Sequence, residues 1–362
     1  LKHRPAAARL ATAIGLATAM IGGIHADEPT PKPPLMKGFS WGFPGVRGDF
    51  TNPEAGESLR RLRDLGVEWV AICFAGHMPE TTSPSIAWGA DDPTMVTDEE
   101  IRQAVDAAHR LGLKTLLKPM VDIRTGHWRG HITLDAPGWE GWWRDYKRMI
   151  VHYATLAADA RSEMLAVGCE MVSTERFETH WRDLVGQVRR VYPGPLTYNA
   201  NHGGVGRVTW WDALDLISVS AYCAVGKGAG STIEEMQASW RPVKAELAAI
   251  SRKYGKPIFF IELGMMSIRG NSRHPSRWDN KDDPFDGEEQ ARYYEAALRA
   301  FWDEPWFAGF FWWKWDAVPS RPEASSRNTA RETVVGDKGF RIVGKPAEEV
   351  VRRWYAKETR RP

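Results

Sequence analysis

Charge of one sign is the first thing this sequence lacks. Its 362 residues hold 48 basic and 46 acidic side chains, a formal net charge of +2, so no overall field gathers nucleic acid or an anionic membrane. Cysteine is nearly absent. Cys73, Cys169 and Cys223 lie in or just after apolar runs and read as buried free thiols. An odd count so placed makes no disulfide framework, and none has zinc-type spacing to another. No Gly-x-Gly-x-x-Gly follows an early strand, which counts against an open, doubly wound dinucleotide fold. Gly203, Gly204 and Gly206 do not sit between a strand and a clear helix. There is no sequence repeat and no second core.

Apolar content of 43% is enough for one large core in a chain of this size. At the N-terminus Lys2, His3, Arg4 and Arg9 precede an apolar, small-residue run from Leu10 to Ile24, ending at Ala26. A basic head, a run of that length and a small residue at the cut predict a secretory signal over 1–26. An uncleaved anchor is the alternative. Residues 27–36, rich in proline and charge, read as a linker, and 37–362 as one catalytic domain.

Along that domain, apolar runs of strand length alternate with amphipathic helices. Strands are predicted at 38–43, 67–74, 113–121, 164–170, 196–199, 214–221, 258–261 and 307–315. Helices follow most of them, with Thr97 to Glu100 spaced as a capping box. Eight such units at roughly forty-residue spacing predict a single (β/α)8 barrel of the TIM type. The stretch Lys256-Pro-Ile-Phe-Phe-Ile-Glu262-Leu-Gly-Met anchors the reading. Its apolar residues are consecutive rather than alternating, so the strand is buried on both faces, and it ends in a carboxylate where such barrels place their chemistry. Met164-Leu-Ala-Val-Gly-Cys-Glu170 has the same form, 92 positions earlier. Two strand-end glutamates, on strands four and seven, can flank one bond, as a glycosidase requires. Either one alone could equally be a helix cap or an ion-pair partner.

Here the chain resembles the β-mannanases of glycoside hydrolase family 113, within the large clan of retaining barrel glycosidases. The marks run from about Lys37 to Tyr355. They are Lys37-Gly-Phe-Ser-Trp41-Gly, Leu117-Lys118-Pro-Met-Val-Asp122, Gly168-Cys-Glu170 with Ser173-Thr-Glu175, Phe260-Ile-Glu262-Leu-Gly, Trp312-Trp313-Lys-Trp315 and Gly344-Lys345-Pro-Ala-Glu348. The resemblance implies Glu170 as general acid/base and Glu262 as nucleophile. Many clan members carry asparagine just before the acid/base, on the sugar 2-hydroxyl. This chain has Cys169 there, and Asn199 on strand five is the expected replacement.

The 18 tryptophans suit stacking on sugar rings, although most tryptophan in any fold is core. Trp41, Trp128, Trp313 and Trp315 lie at or beyond strand ends and are the stacking candidates. Alternation places Trp313 and Trp315 on one face and Trp312 on the other. Lys118 and Asp122 are candidates for sugar hydroxyls, or else pair with neighbours. Tyr222, ending strand six, is placed to donate to Glu262, or is ordinary rim. His127 and His131 read as solvated loop residues, and Glu175 and Glu178 as the exposed first turns of a helix. No metal or cofactor is expected. The implied protein is a secreted or periplasmic monomer acting on β-linked glycans. Another β-glycanase, an exo-mannosidase and a non-catalytic glycan-binding barrel remain as alternatives.

Overall fold

The computed structural model describes residues 33–277, 282–321 and 338–357. The predicted signal and most of the linker lie outside them. Among the described residues, no helix is long and apolar enough to cross a membrane.

Eight strands close into one parallel barrel in sequence order. They are β1 (Met36–Trp41), β2 (Trp69–Met78), β3 (Lys114–Ile123), β4 (Met164–Cys169), β5 (Leu196–Asn201), β6 (Ile217–Ser220), β7 (Ile258–Leu263) and β8 (Phe307–Trp315). Among the described residues seven helices surround it: α1 (Pro53–Asp64), α2 (Asp98–Arg110), α3 (Ala136–Asp159), α4 (Glu178–Arg189), α5 (Ile233–Tyr254), α6 (Gly287–Phe301) and α7 (Pro346–Tyr355). Between β5 and β6 the chain makes only short turns, at Val205–Arg207 and Trp211–Ala213.

Local chemistry sets the helix ends. Thr97 and Glu100 form the capping box of α2, and Thr232 with Glu235 forms another on α5. Each satisfies two backbone donors that the first turn leaves open.

Strand parity divides the apolar residues into two layers. One layer fills the barrel: Ala71, Cys73, Leu116, Met120, Met164, Phe259, Ile261 and Phe311 among others. The other packs sheet against helices and holds Phe39, Val70, Ile72, Leu117, Leu165, Tyr198 and Phe260. The strands are apolar on both faces because both faces are covered. β2 and β3 pair over ten positions, out to Met78 and Ile123, so the second strand runs four residues beyond the predicted Phe74. Ala75-Gly-His77 carries little strand signal of its own; pairing with β3 extends it.

Candidate active site

Glu262 is next to last on β7, inside the barrel and 2% exposed. Lys118 of β3 forms an ion pair with Oε1, and Asn199 Nδ2 of β5 donates to the same oxygen at 3.1 Å. Tyr222, just past β6, donates its hydroxyl to Oε2 at 2.9 Å. The Cys169 thiol lies 3.5 Å from Oε1; burial pushes that thiol up to about 12, so it stays an S–H donor. Burial is the largest influence on the Lys118 ammonium and opposes it, but the charge and hydrogen bond of Glu262 together with Cys169 and Cys73 hold the group above its ordinary value. Four donors therefore converge on one carboxylate, an arrangement that favours its ionised form. Gly264 lets the ends of β7 and β8 close together here: a Cβ at that position would lie 2.3 Å from the Trp313 carbonyl oxygen.

Glu170 follows β4 and is 3% exposed. Asn201 Nδ2 donates to its Oε1 at 3.0 Å and Trp128 Nε1 to its Oε2 at 3.0 Å. Arg129 Nη1 stands 3.9 Å from Oε2. The backbone here has φ +51°, and its N–H donates to the Asn199 carbonyl at 2.8 Å. Trp128 folds flat over Gly130, where a Cβ would meet the indole at 2.5 Å.

Arg129 joins the two halves. It is 1% exposed, pairs with Asp122 Oδ1 and donates to Cys169 Sγ at 3.4 Å. Asn199 is itself oriented, since Ser220 Oγ donates to its Oδ1 at 2.9 Å. Asn199 and Asn201 are two positions apart on one strand and so face the same side. Because each holds a different glutamate, both carboxylates face the barrel interior at the carboxyl end of the strands.

The other expected residues divide. Trp313 is inside, 7% exposed, against Phe43 at 4.9 Å and under the Lys118 ammonium at 5.3 Å. Lys118 and Asp122 are inside too, but Lys118 pairs with Glu262 and Asp122 with Arg129. Trp41 and Trp315 are not in the site, which corrects the expectation for both. Trp41 is wholly buried between barrel and helices, stacked on Phe50 at 5.0 Å, with Nε1 donating to Ser58 Oγ at 3.0 Å. Phe39 and Trp41 share the outward face of β1, and a strand-end position does not by itself choose the face. Trp315 is also outside, edge-on to Phe39 at 5.4 Å. A step of two residues on β1, from Phe39 to Trp41, is matched by a step of three on β8, from Trp312 to Trp315. That bulge reverses the parity, so Trp313 and Trp315 take opposite faces. Glu175 is buried rather than on an exposed helical turn. Arg129 and the role of Asn201 were not anticipated. Strand alternation from Asn199 could have found Asn201, whereas nothing local marks Arg129.

His127 is exposed and His131 packs edge-on to Trp128 at 5.1 Å. Among the described residues no three His, Cys, Asp or Glu side chains group as metal ligands.

The model of Glycoside Hydrolase Family 113 matches residues 39–345. The chain belongs to glycoside hydrolase family 113. It is a glycoside hydrolase by that membership. Among solved structures, a family 113 β-mannanase from Alicyclobacillus acidocaldarius, AaManA in complex with ManMIm, is 38% identical with TM-score 0.78. The match covers 89% of this chain and 97% of that one. A family 113 β-1,4-mannanase is 33% identical with TM-score 0.78, covering 90% of this chain and 100% of the other. A Faecalibacterium prausnitzii β-glucuronidase, 15% identical with TM-score 0.58 over 91% of this chain and 50% of its own, shares the fold alone. No curated protein sequence matches this family 113 chain.

Proposed function

We propose that this family 113 member is a secreted or periplasmic, monomeric endo-β-1,4-mannanase. It cleaves β-mannan or manno-oligosaccharides with retention of configuration. One observation carries the reading: two strand-end glutamates face one barrel interior, each held by its own set of donors. The choice of mannan is supported by the 38% identity to a β-mannanase.

Glu262 attacks the anomeric carbon as the bond to the leaving sugar breaks, and Glu170 gives its proton to the departing oxygen. A glycosyl ester on Glu262 results. Water then attacks the same carbon, Glu170 takes the water's proton, and the ester bond to Glu262 breaks; two inversions give net retention. Lys118 and Arg129 bring two buried positive charges, and Glu262 and Asp122 two negative ones. The pocket is therefore neutral when Glu170 carries a proton, and an uncompensated buried charge is avoided.

Trp313 offers a ring at the pocket floor for the sugar, and Trp128 borders the proton donor. Asp122 Oδ2 is buried without a hydrogen-bond partner among the described residues, which suits it to accept from a sugar hydroxyl. Asn199, beside Cys169 Sγ at 3.1 Å, stands in for the asparagine that precedes the acid/base elsewhere in the clan. Secretion is supported by the basic head and apolar run at the N-terminus.

The test is a panel of manno-, gluco- and xylo-oligosaccharides and mannan, with products resolved by chromatography and their first-formed anomer by NMR. Internal cleavage of β-1,4-mannan giving β-anomers is expected. Cleavage confined to glucans or xylans would overturn the substrate, and α-anomers would overturn the mechanism.

A further inference from the structure

Glu175 occupies a place that the two-glutamate mechanism does not use. It follows β4 by six positions and is 4% exposed. Its Oε1 accepts the Tyr198 hydroxyl proton at 2.9 Å, while the Tyr198 oxygen accepts the Met171 backbone N–H at 3.0 Å. Met171 is the residue after Glu170. That peptide needs holding, because Glu170 is one of two non-glycine residues with positive φ among those described. The left-handed region disfavours any residue with a Cβ. Tyr198 can accept from Met171 in this geometry only with its own proton turned elsewhere, and Glu175 is where it turns.

The second oxygen of Glu175, Oε2, is buried with no hydrogen-bond partner among the described residues. It lies against Gly204, at 3.4 Å from where a Cβ would be. The charged and titratable groups facing Glu175 are Tyr198 from β5, Arg207 from the turn after β5, and Glu170 from the end of β4. Those facing Glu170 are Arg129, Cys169, His202 and Glu175. Burial is the main cause that pushes Glu175 up to about 7; Tyr198 and Arg207 oppose it, and Glu170 adds to it. Glu175 so changes charge near neutrality, behind the proton donor.

We propose that Glu175 is a positioning residue for Glu170. Through Tyr198 it fixes the peptide that follows Glu170, and with it the place of the Glu170 carboxyl. The proposal rests on Glu170 being the acid/base.

The test compares kcat/KM of the wild type, Glu175→Leu, Glu175→Gln and Tyr198→Phe on a manno-oligosaccharide and on an activated aryl mannoside. Glu175→Leu and Tyr198→Phe lose the tether and should slow the manno-oligosaccharide at least about tenfold more than the aryl mannoside, because only the former needs full proton donation. Glu175→Gln keeps an acceptor for the Tyr198 hydroxyl and should stay near the parent. Equal losses on both substrates overturn the proposal. A second measurement needs no substrate: NMR titration of the Glu175 carboxyl in enzyme labelled at glutamate Cδ. Its inflection, at about 7 in the wild type, should fall in Glu170→Gln, which removes the facing carboxylate; an unmoved inflection overturns the proposal as well. Because this titration involves no sugar, an enzyme that passes it yet leaves mannan uncut would sink the substrate reading alone.

Discussion

Asn199 and Asn201 stand two positions apart on β5 and donate to different glutamates, to Glu262 at 3.1 Å and to Glu170 at 3.0 Å. One short strand thereby sets the relative placement of both carboxylates. The two asparagines are expected to fail in different ways. Asn201→Ala should slow substrates with poor leaving groups more than activated aryl glycosides, since only the former need full proton donation. Asn199→Ala should slow both alike, by about 10- to 100-fold, the usual worth of a hydrogen bond to a charged group. Leaving-group dependence of kcat/KM decides it; equal behaviour of the two variants would contradict the assignment of roles.

Lys118 and Glu262 form an ion pair with both side chains almost wholly out of solvent, at 0% and 2% exposure. Removing one partner of such a pair strands the other. Lys118→Met should cost about 3–5 kcal/mol of stability and move the acidic limb of the pH profile upward, because Glu262 loses its cation. Pairing it with Glu262→Leu should recover much of the stability and none of the activity. Urea unfolding of the single and double variants reads the first effect. A single variant as stable as the parent would show that the pair is not formed.

Trp313 and Trp315 are separated by the β8 bulge, and their variants should separate too. Trp313→Ala, inside the barrel, should reduce kcat/KM at least about tenfold by removing an aromatic contact to the sugar. Trp41→Ala and Trp315→Ala remove core side chains and should cost about 3–5 kcal/mol of stability, leaving KM of the remaining folded enzyme near the parent's. Thermal unfolding beside steady-state kinetics distinguishes the two outcomes.

The barrel was legible because its strands are apolar on both faces and end abruptly in charge, as in Phe260-Ile-Glu262. That signal is local. The faces of Trp41 and Trp315 were not, because parity depends on where pairing begins and on a bulge that only β1 reveals. Arg129 shows the other limit. Its partners Val121 and Asp122 are near in sequence, but Cys169 and Glu170 are brought to it by closure of β3 against β4. Glu175 looked like the polar face of a helix. The chain instead makes a short turn at Val172–Thr174, and α4 begins three residues after Glu175 at Glu178, so the carboxyl turns inward to Tyr198.

Glu175 also predicts a stability signature. Its ordinary value is 4.5, and burial lifts it to about 7 in the folded chain. Between those values the folded protein keeps a proton that the unfolded one has released. Stability must then fall as pH rises from about 4.5 to about 7, and this contribution levels off above that. The full effect is at most about 3 kcal/mol. Glu175→Gln has no proton to lose, so the stability difference between variant and parent should grow in the variant's favour across that window and stay constant beyond it. Urea unfolding at a series of pH values measures the difference directly. Parallel curves for the two proteins from pH 4.5 to 8 would mean that Glu175 ionises as an ordinary surface carboxylate.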